Sequence, residues 1–437
     1  MGLFSVGAQA QWVNKPITFA DPAQFNFTIS AVDADVAWTT VLMFDGPNDG
    51  PTPLVCRTTD GGATWLTRPV TGLPATGMVT SIHALDASTA WATTADANAA
   101  GGGVMKTTDG GATWVRQTTT AQFAAPSSYP AFVSFFDAST GVAIGNPDAA
   151  GFEIYTTTNG GSTWTRVPAA NIPAPIGRES AGGDVPFIAR SGNSIWFGTN
   201  QGRVFRSTNQ GQTWAASTTP LDDFEAIAFR DPNNGLIMNE DGDIARTTDG
   251  GATWTRLRPA GPLHPIGLDN VPGTQTYIST GFSEELNGSG SSRSTDDGQT
   301  WTAIESTTNH ALVDFVSPTV GWSSGVIVLP NGDLQGNGMN LYNGPTLGTN
   351  SALAARLGMS AYPNPASDGR FTIKAPGLKT ATTARVLDGL GRQVLVQAWS
   401  APHIAPLNLN LSSQAAGVYV LEVPTAEGLV RQKLVLR

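Results

Sequence analysis

The sequence predicts an all-β protein built from a repeated four-strand unit and ending in a smaller β domain. Two repeating patterns and one change of composition predict it. The first pattern is a box with the consensus Ser/Thr-x-Asp/Asn-x-Gly-x-Thr-Trp, as in KTTDGGATWVRQ at 106–117. Six copies recur at intervals of 40 to 50 residues. Repeats of this length are typical of solenoids, propellers and arrays.

A second pattern precedes each box: an apolar strand, a short polar turn and another apolar strand. Together with the box and the strand after it, this makes four strands per unit, which is the size of one propeller blade. The sequence therefore predicts a seven-bladed β-propeller over residues 11–348. The seven copies of the second pattern lie at 29–40, 82–93, 133–144, 188–199, 227–238, 266–279 and 313–324.

Seven leading patterns but six boxes leave the last unit incomplete. Its third strand is expected at 338–342. The N-terminal segment 11–16, QWVNKP, resembles the strand that follows each box tryptophan. We expect it to supply the missing outer strand and close the ring, because closure removes a sheet edge that would otherwise invite aggregation.

The boxes are interpreted as structural. Asp-Gly and Asn-Gly favour tight hairpin turns, the Ser/Thr two residues earlier can cap the same turn, and the tryptophan is expected to pack on the next sheet. A catalytic site needs one copy of its residues, whereas a structural device recurs in every blade. Calcium or ligand binding is the alternative, although most boxes offer one carboxylate. The structural positions are Asp60, Trp65, Asp109, Trp114, Asn159, Trp164, Asn209, Trp214, Asp249, Trp254, Asp296 and Trp301.

The box resembles the Asp-box, or bacterial neuraminidase repeat. That repeat occurs in sialidases, other glycoside hydrolases, sortilin-type receptors and photosystem II assembly propellers. The resemblance implies the fold and leaves the activity open, because these families differ in function.

Composition and charge exclude several classes of protein. Residues 1–359 carry a net charge of −14 and residues 360–437 a net charge of +4, so the larger part lacks the basic face that nucleic-acid binding needs. No apolar run reaches the length of roughly 20 residues that a transmembrane helix requires. The single cysteine, Cys56, excludes an internal disulfide and is expected to be a small buried hydrophobe.

The chain ends differ from the repeats. Residues 1–10 finish in Ala8-Gln9-Ala10, a small-x-small pattern, and are interpreted as the remnant of a signal peptide. Residues 349–359 are interpreted as a linker. Residues 360–437 show strand signals at 370–373, 383–387, 393–399, 407–411, 417–423 and 430–436, with a hairpin at 388–391, and suggest a small Ig-like β-sandwich.

The C-terminal segment closely resembles the type A C-terminal sorting domain of the type IX secretion system. The matching stretches are YPNPASDGRFTI, VLDGLGRQVL, LNLSSQAAGVYVLEV and the terminal KLVLR. The resemblance implies export through that machinery, using residues 360–437, to the outer surface of a Gram-negative bacterium or into the medium. The signal positions it implies are Tyr362, Pro363, Asn364, Pro365, Gly417, Tyr419 and Lys433.

Functional residues are sought among polar residues that break the repeat near the inner strands, because function on a rigid scaffold concentrates at such positions. The stretch 176–184, IGRESAGGD, replaces a normal blade start with a charged loop. Its alternative interpretation is a solvated loop with an internal Arg–Glu pair. The binding candidates are His83, Arg178, Glu179, Asp184, His264, His310 and Asp314, and the weaker catalytic candidates are Glu179, Asp184 and Glu225.

The histidines lack short metal-ligand spacing, so no metal and no cofactor is expected. The arginine triad and the Tyr–Glu pair that a sialidase needs are not visible either. The leading hypothesis is a non-enzymatic secreted or cell-surface propeller that binds a protein or glycan. One alternative is a secreted glycoside hydrolase that acts on extracellular polysaccharide, either sialidase-like or another Asp-box glycosidase such as one with two catalytic carboxylates. The other is a structural adhesin or surface-layer component.

Overall fold

The computed structural model describes residues 11–43, 50–74, 76–96, 102–125, 129–181, 187–283, 288–330, 332–344, 357–388, 393–400, 405–425 and 428–437. The chain divides into two compact units, a larger N-terminal one and a smaller C-terminal one. Apart from one short 3₁₀ turn at Ala169–Asn171, the regular structure of these residues is all β, as the sequence predicts.

The described residues of the larger unit form seven four-stranded antiparallel sheets. The first strand, β1 (Trp12–Lys15), belongs to the last of them. Sheet 1 consists of β2 (Gln24–Ala31), β3 (Ala37–Met43), β4 (Gly50–Thr58) and β5 (Leu66–Pro69). Sheet 2 consists of β6 (Gly77–Ala84), β7 (Ala90–Asp96), β8 (Gly102–Thr107) and β9 (Val115–Arg116). Sheet 3 consists of β10 (Pro130–Phe135), β11 (Gly141–Asp148), β12 (Gly151–Thr157) and β13 (Thr165–Arg166).

The next four sheets repeat this order. Sheet 4 consists of β14 (Ile188–Ser191), β15 (Ser194–Gly198), β16 (Arg203–Ser207) and β17 (Ala215–Thr218). Sheet 5 consists of β18 (Ala226–Phe229), β19 (Gly235–Met238), β20 (Ile244–Thr247) and β21 (Thr255–Leu257). Sheet 6 consists of β22 (Gly267–Asn270), β23 (Tyr277–Gly281), β24 (Gly290–Ser294) and β25 (Thr302–Glu305). Sheet 7 consists of β26 (His310–Ser317), β27 (Val320–Val328), β28 (Leu334–Tyr342) and β1.

The N-terminal strand closes the ring, as expected. It pairs antiparallel with β28 in the register Trp12↔Tyr342 to Lys15↔Met339. The first strand of sheet 7, β26, in turn contacts the first strand of sheet 1, β2. The first strands of the sheets therefore face one another around a central channel, and the second patterns of the sequence form the first two strands of each sheet.

Apolar layers between successive sheets hold the ring together. Aromatic residues fill the layer between sheets 2 and 3, where Trp91 stacks on Phe135 with a centroid distance of 3.6 Å. Between sheets 7 and 1, Trp322 and Met339 pack on Cys56, which is fully buried. Burial raises the pKa of this thiol to about 11, so Cys56 is the inert core residue that the sequence predicts.

The box tryptophans correct one expectation. Trp65 of sheet 1 packs edge-on against Trp322 of sheet 7, and Trp114 of sheet 2 packs edge-on against Trp38 of sheet 1. These rings therefore contact the preceding sheet and not the next one. The link to the next sheet comes from second-strand tryptophans such as Trp38, whose indole N–H donates to Asp86 O at 3.1 Å.

The smaller unit contains two sheets around one hydrophobic core, which agrees with the predicted sandwich. One sheet has the order β29 (Ser360–Tyr362), β30 (Arg370–Lys374), β33 (Leu407–Asn410). The other has the order β32 (Gln393–Trp399), β31 (Thr382–Leu387), β34 (Gly417–Thr425), β35 (Gly428–Leu436). The turn expected at 388–391 lies outside the described residues after position 388.

The side chains of two sorting-signal positions, Asn364 and Tyr419, make hydrogen bonds within this unit. The Asn364 amide donates to Lys433 O at 2.6 Å and accepts the Val435 N–H at 2.9 Å, which ties this segment to β35. Tyr419 is buried, and its hydroxyl donates to Ala415 O at 2.6 Å. These contacts give Asn364 and Tyr419 a role in the fold of the unit.

Candidate functional site

The six boxes share one hydrogen-bond arrangement. In the box of sheet 2, the Thr107 hydroxyl donates to Asp109 Oδ1 at 2.9 Å and accepts the Gly111 N–H at 2.9 Å. The Asp109 carboxylate also accepts the N–H and the hydroxyl of Thr113. The same contacts recur in the other boxes. Where Asn159 and Asn209 replace the aspartate, the amide nitrogen donates to the Thr163 or Thr213 hydroxyl instead of accepting from it. The side-chain oxygens of the box are thus used within the turn, which supports the structural interpretation.

The loop singled out at 176–184 is organised by a buried carboxylate. Glu179 is buried and accepts a charged hydrogen bond from Arg203 at 2.8 Å, the Thr199 hydroxyl at 2.7 Å and the Ile176 N–H at 3.0 Å. Both carboxylate oxygens are therefore engaged in holding the loop. An Arg–Glu pair inside this loop was one interpretation of the sequence, and it is wrong. Glu179 pairs with Arg203, which lies outside the loop, and Arg178 is exposed. Asp184 lies outside the described residues.

Three other candidates lie where the inner strands begin. Glu225 precedes β18 and is half-buried, with its N–H bonded to Met238 O. His264 and His310 are both buried, and His264 contributes to the electrostatic environment of His310. The imidazole of His310 contacts Glu305 Oε1 and Ser323 Oγ, while His264 Nδ1 contacts Gly288 O. His264 and His310 thus share one electrostatic environment, whereas the Glu225 backbone is held within its own sheet.

The remaining two candidates, His83 and Asp314, belong to a different group. They lie on first strands, next to two charged residues that the sequence analysis did not select. We refer to this group as the channel cluster, and it consists of His83 on β6, Arg190 on β14, Asp269 on β22 and Asp314 on β26.

Hydrogen bonds fix the two aspartates of the channel cluster. Asp269 Oδ2 accepts the N–H of Phe315, the residue after Asp314, at 2.6 Å. Asp314 Oδ2 accepts the N–H of Ala31 on β2 at 2.8 Å. Each carboxylate thus links its own inner strand to that of the following sheet, and the two carboxylates lie on adjacent inner strands.

Strand register shows that these aspartates occupy equivalent positions. Asp269 pairs with Ile278, Asp314 pairs with Trp322, and Ser30 of sheet 1 pairs in the same way with Trp38. Ser30 Oγ accepts the Ala84 N–H of the next sheet at 2.8 Å, so a neutral hydroxyl makes the same link. The link between sheets therefore requires an acceptor oxygen but no charge. The two aspartates are charged residues at positions where a neutral side chain is sufficient.

The channel cluster forms one electrostatic unit. Burial, followed by the Asp314 charge, holds the pKa of Asp269 well above its ordinary value. Burial raises the pKa of Asp314 to about 6, against the opposing Ala31 N–H and Arg190. Burial, followed by the Arg190 charge, lowers the pKa of His83 to about 3, so this imidazole is neutral at neutral pH.

Part of the channel cluster is accessible to solvent. Arg190 is exposed, and both aspartates are half-buried. Within the described part of the chain, Arg190 has no ion-pair partner within 4.0 Å, and its guanidinium lies 5.8 Å from the Phe136 ring centroid. An accessible arginine that interacts with a carboxyl group of raised pKa, here Asp314, is a combination that clusters at functional sites.

Sequence reasoning selected His83 and Asp314 but missed Arg190 and Asp269, although all four lie inside first strands. A signal was present. The inner strands carry mainly apolar or small residues at these positions, such as Ala228 and Phe229 in sheet 5. A charge that interrupts this pattern inside an inner strand is as informative as an off-pattern loop.

The described residues contain no group of three or more His, Cys, Asp or Glu side chains that could hold a metal ion. Among the same residues, no helix is long and apolar enough to cross a membrane.

Comparison with known proteins identifies both units. Residues 98–221 match the family model described as photosynthesis system II assembly factor YCF48, and residues 360–437 match that of the secretion system C-terminal sorting domain. No match was found among curated proteins.

Two solved structures have the same fold as the larger unit. One is YCF48 bound to D1 peptide, with 18% identity, a TM-score of 0.53, and coverage of 77% of this chain and 98% of that one. The other is YCF48 from Cyanidioschyzon merolae, with 16% identity, a TM-score of 0.52, and coverage of 76% and 99%.

The sorting domain gives the destination of the protein, which is export by the type IX secretion system to the cell surface or the medium of a Gram-negative bacterium. The larger unit is therefore a repeat β-propeller with the fold of the YCF48 structures, and a secretion system C-terminal sorting domain follows it.

Proposed function

We propose that this exported propeller binds a polypeptide partner, and that the partner contacts the channel cluster. The observation that carries the proposal is that four off-pattern polar residues on the first strands of four sheets, His83, Arg190, Asp269 and Asp314, influence one another electrostatically in pairs. Charges that neighbouring sheets do not need for their own links are available to a ligand. A rigid ring that presents a few such groups is the usual arrangement of a binding site.

The related fold supports a polypeptide as the ligand. One propeller with this fold was solved with a peptide bound, and that statement concerns the other protein. In this chain, the cluster offers carboxylate acceptors and a guanidinium donor, which suit the mixed polar groups of a peptide. The acidic charge of residues 1–359 favours a partner with a basic contact surface, because complementary charge raises the association rate.

The test is a binding experiment with charge-matched variants. The full chain is used to capture partners from the cell envelope, each partner is then produced alone, and its affinity is measured by calorimetry. We expect the double variant Asp269→Asn/Asp314→Asn and the single variant Arg190→Gln to weaken binding by at least about tenfold, because the partner loses its contacts with the carboxyl groups or with the guanidinium. The exposed pair Asp222→Asn/Asp223→Asn makes the same substitutions outside the cluster and should bind like the wild type.

Two results would count against the proposal. Equal affinity of the cluster variants and the control pair would remove the cluster from the interface. Binding on a glycan array, with no protein partner captured, would replace the polypeptide with a glycan.

A second function, glycoside hydrolysis, is favoured by one observation. Asp269 and Asp314 lie on adjacent inner strands and both have raised pKa values, so one can hold a proton while the other is ionised. Glycosidases use such a pair as acid and base or nucleophile. Turnover of a chromogenic glycoside panel that disappears in both Asp269→Asn and Asp314→Asn would establish this function, and no turnover by the wild type would dismiss it.

A further inference from the structure

A buried polar network joins the N-terminal strand to sheets 6 and 7. The Trp12 indole N–H donates to Ser291 Oγ at 2.9 Å, and the Ser291 hydroxyl donates to Glu305 Oε1 at 3.3 Å. The Trp12 ring packs on the His310 ring with a centroid distance of 4.8 Å. Strand β1 is thus held through the same residues that surround His310.

The contacts of His310 define its protonation state. The Asn340 amide nitrogen, which can only donate, lies 3.2 Å from His310 Nδ1, and the Ser323 hydroxyl lies 2.7 Å from the same nitrogen. Nδ1 is therefore an acceptor without a proton. In this tautomer the proton is on Nε2, which donates to Glu305 Oε1 at 3.0 Å, so the arrangement fits a neutral imidazole.

Asn340 connects this imidazole to β1. Its amide oxygen accepts the Asn14 Nδ2 hydrogen at 3.1 Å, while Asn14 also donates to Asn337 O at 2.7 Å. A proton on His310 Nδ1 would face the Asn340 amide hydrogens. Turning the Asn340 amide to present its oxygen would then place its nitrogen against Asn14 Nδ2, so the bond to β1 would be lost.

We propose that His310 is an acid-sensitive lock on ring closure: neutral His310 holds β1 in sheet 7 through Asn340 and Asn14, and its protonation releases the strand. The inferred stimulus is a fall in pH, and the element that responds is the strand that completes the ring. The proposal concerns the folded propeller alone and does not depend on which partner the channel cluster binds.

The groups that face His310 determine the direction of the effect. Glu305 at the end of β25 favours the imidazolium, His264 before β22 disfavours it, and Tyr342 of β28 contacts the Trp12 ring edge-on. Burial is the largest influence and lowers the pKa of His310, whereas the pKa of Glu305 falls to about 2. Glu305 therefore stays ionised while His310 titrates. The contribution of neutral His310 to stability is complete above its ordinary pKa and is lost as the pH falls towards the lower folded value.

Hydrogen exchange of β1 in the full chain tests the lock. Exchange of a peptide covering residues 11–16 is followed by mass spectrometry between pH 7.5 and pH 4, corrected for intrinsic rates and referred to β2. We expect more than tenfold faster relative exchange at the acid end in the wild type and in His264→Gln. In His310→Gln, where residue 310 cannot titrate, we expect no dependence of this relative rate on pH.

A second variant keeps the proposal testable if His310→Gln does not fold. Asn14→Ala removes the last link of the chain of contacts, so its β1 should exchange rapidly already at pH 7.5 and show little further change on acidification. Retention of the wild-type pH response in His310→Gln or Asn14→Ala would overturn the proposal. So would a wild-type β1 that exchanges no faster than β2 at any pH.

Discussion

The Asp314 carboxylate accepts the Ala31 backbone N–H at 2.8 Å, which links the last inner strand of the ring to the first across 283 positions of sequence. The link has the same form as that between Asp269 and Phe315 and that between Ser30 and Ala84. The Asp314 side chain thus makes a structural contact and is also a candidate binding group. The two roles can be separated, because an asparagine keeps the acceptor oxygen and removes the charge.

Asp314→Asn should change the pH dependence of stability. Its folded pKa, about 6, is above the ordinary aspartate value of about 3.9, so the folded chain favours the neutral carboxyl. The stabilisation is present in full below about pH 4 and is lost as the pH rises through about 6. We expect the melting temperature of the variant to exceed that of the wild type by a margin that grows from pH 4 to pH 7.

The exposed Asp222→Asn provides the control for that pH series. Its margin over the wild type should stay constant across the range. A constant margin for Asp314→Asn as well would show that Asp314 titrates normally in the folded chain.

Trp12→Ala should destabilise the propeller strongly. Trp12 is buried, donates to Ser291 and packs on Tyr342, and loss of a buried tryptophan costs about 3–5 kcal/mol. The neighbouring Val13→Ala alters an exposed side chain on the same strand and should change stability by less than about 0.5 kcal/mol. Urea denaturation followed by tryptophan fluorescence and circular dichroism measures both. Similar midpoints for the two variants would mean that ring closure contributes little to stability.

Glu179→Ala should cost about 3–5 kcal/mol of stability, because Arg203 would lose its buried carboxylate partner. The adjacent Arg178→Ala removes an exposed side chain and should have little effect. Thermal unfolding distinguishes the two. A small effect of Glu179→Ala, combined with loss of partner binding, would return Glu179 to the list of binding residues that the sequence suggested.

Thr247→Val should destabilise the box of sheet 5. The Thr247 hydroxyl accepts the Gly251 N–H at 2.7 Å and donates to Asp249 at 2.8 Å, and an unsatisfied buried N–H costs about 1–3 kcal/mol. Asp249→Asn should be milder, because Asn159 and Asn209 already serve in two boxes of this chain. Chemical denaturation compares the variants. An equal loss for both would show that the carboxylate charge, and not the turn geometry, holds the box together.

Much of the fold could be predicted because its devices recur locally. Each box contains its own turn contacts, as Thr107, Asp109 and Gly111 show, so the motif is visible in a dozen residues. The closing strand was recognisable because Trp12 begins a strand that resembles those after the boxes. The contact side of the box tryptophans was predicted wrongly, since it depends on how successive sheets pack and not on the hairpin.

The candidate site was predictable only in part. His83 and Asp314 were selected as off-pattern residues, whereas Arg190 and Asp269 were hidden inside ordinary strand patterns. Glu179 was selected for its charge, but its role depends on Arg203, a residue of another strand. The local sequence pattern shows that a residue is unusual, but it does not specify which residues that residue contacts.

The sequence by itself determined the repeat, the number of strands per unit, the closing strand and the sorting domain, because each of these rests on local periodicity or on a contiguous motif. Only the tertiary structure decided which charged residues meet. The members of the channel cluster are separated by dozens of residues in sequence, and they approach one another because ring closure brings the inner strands together. Their proximity, and hence their raised or lowered pKa values, is a property of the closed ring and not of any single segment.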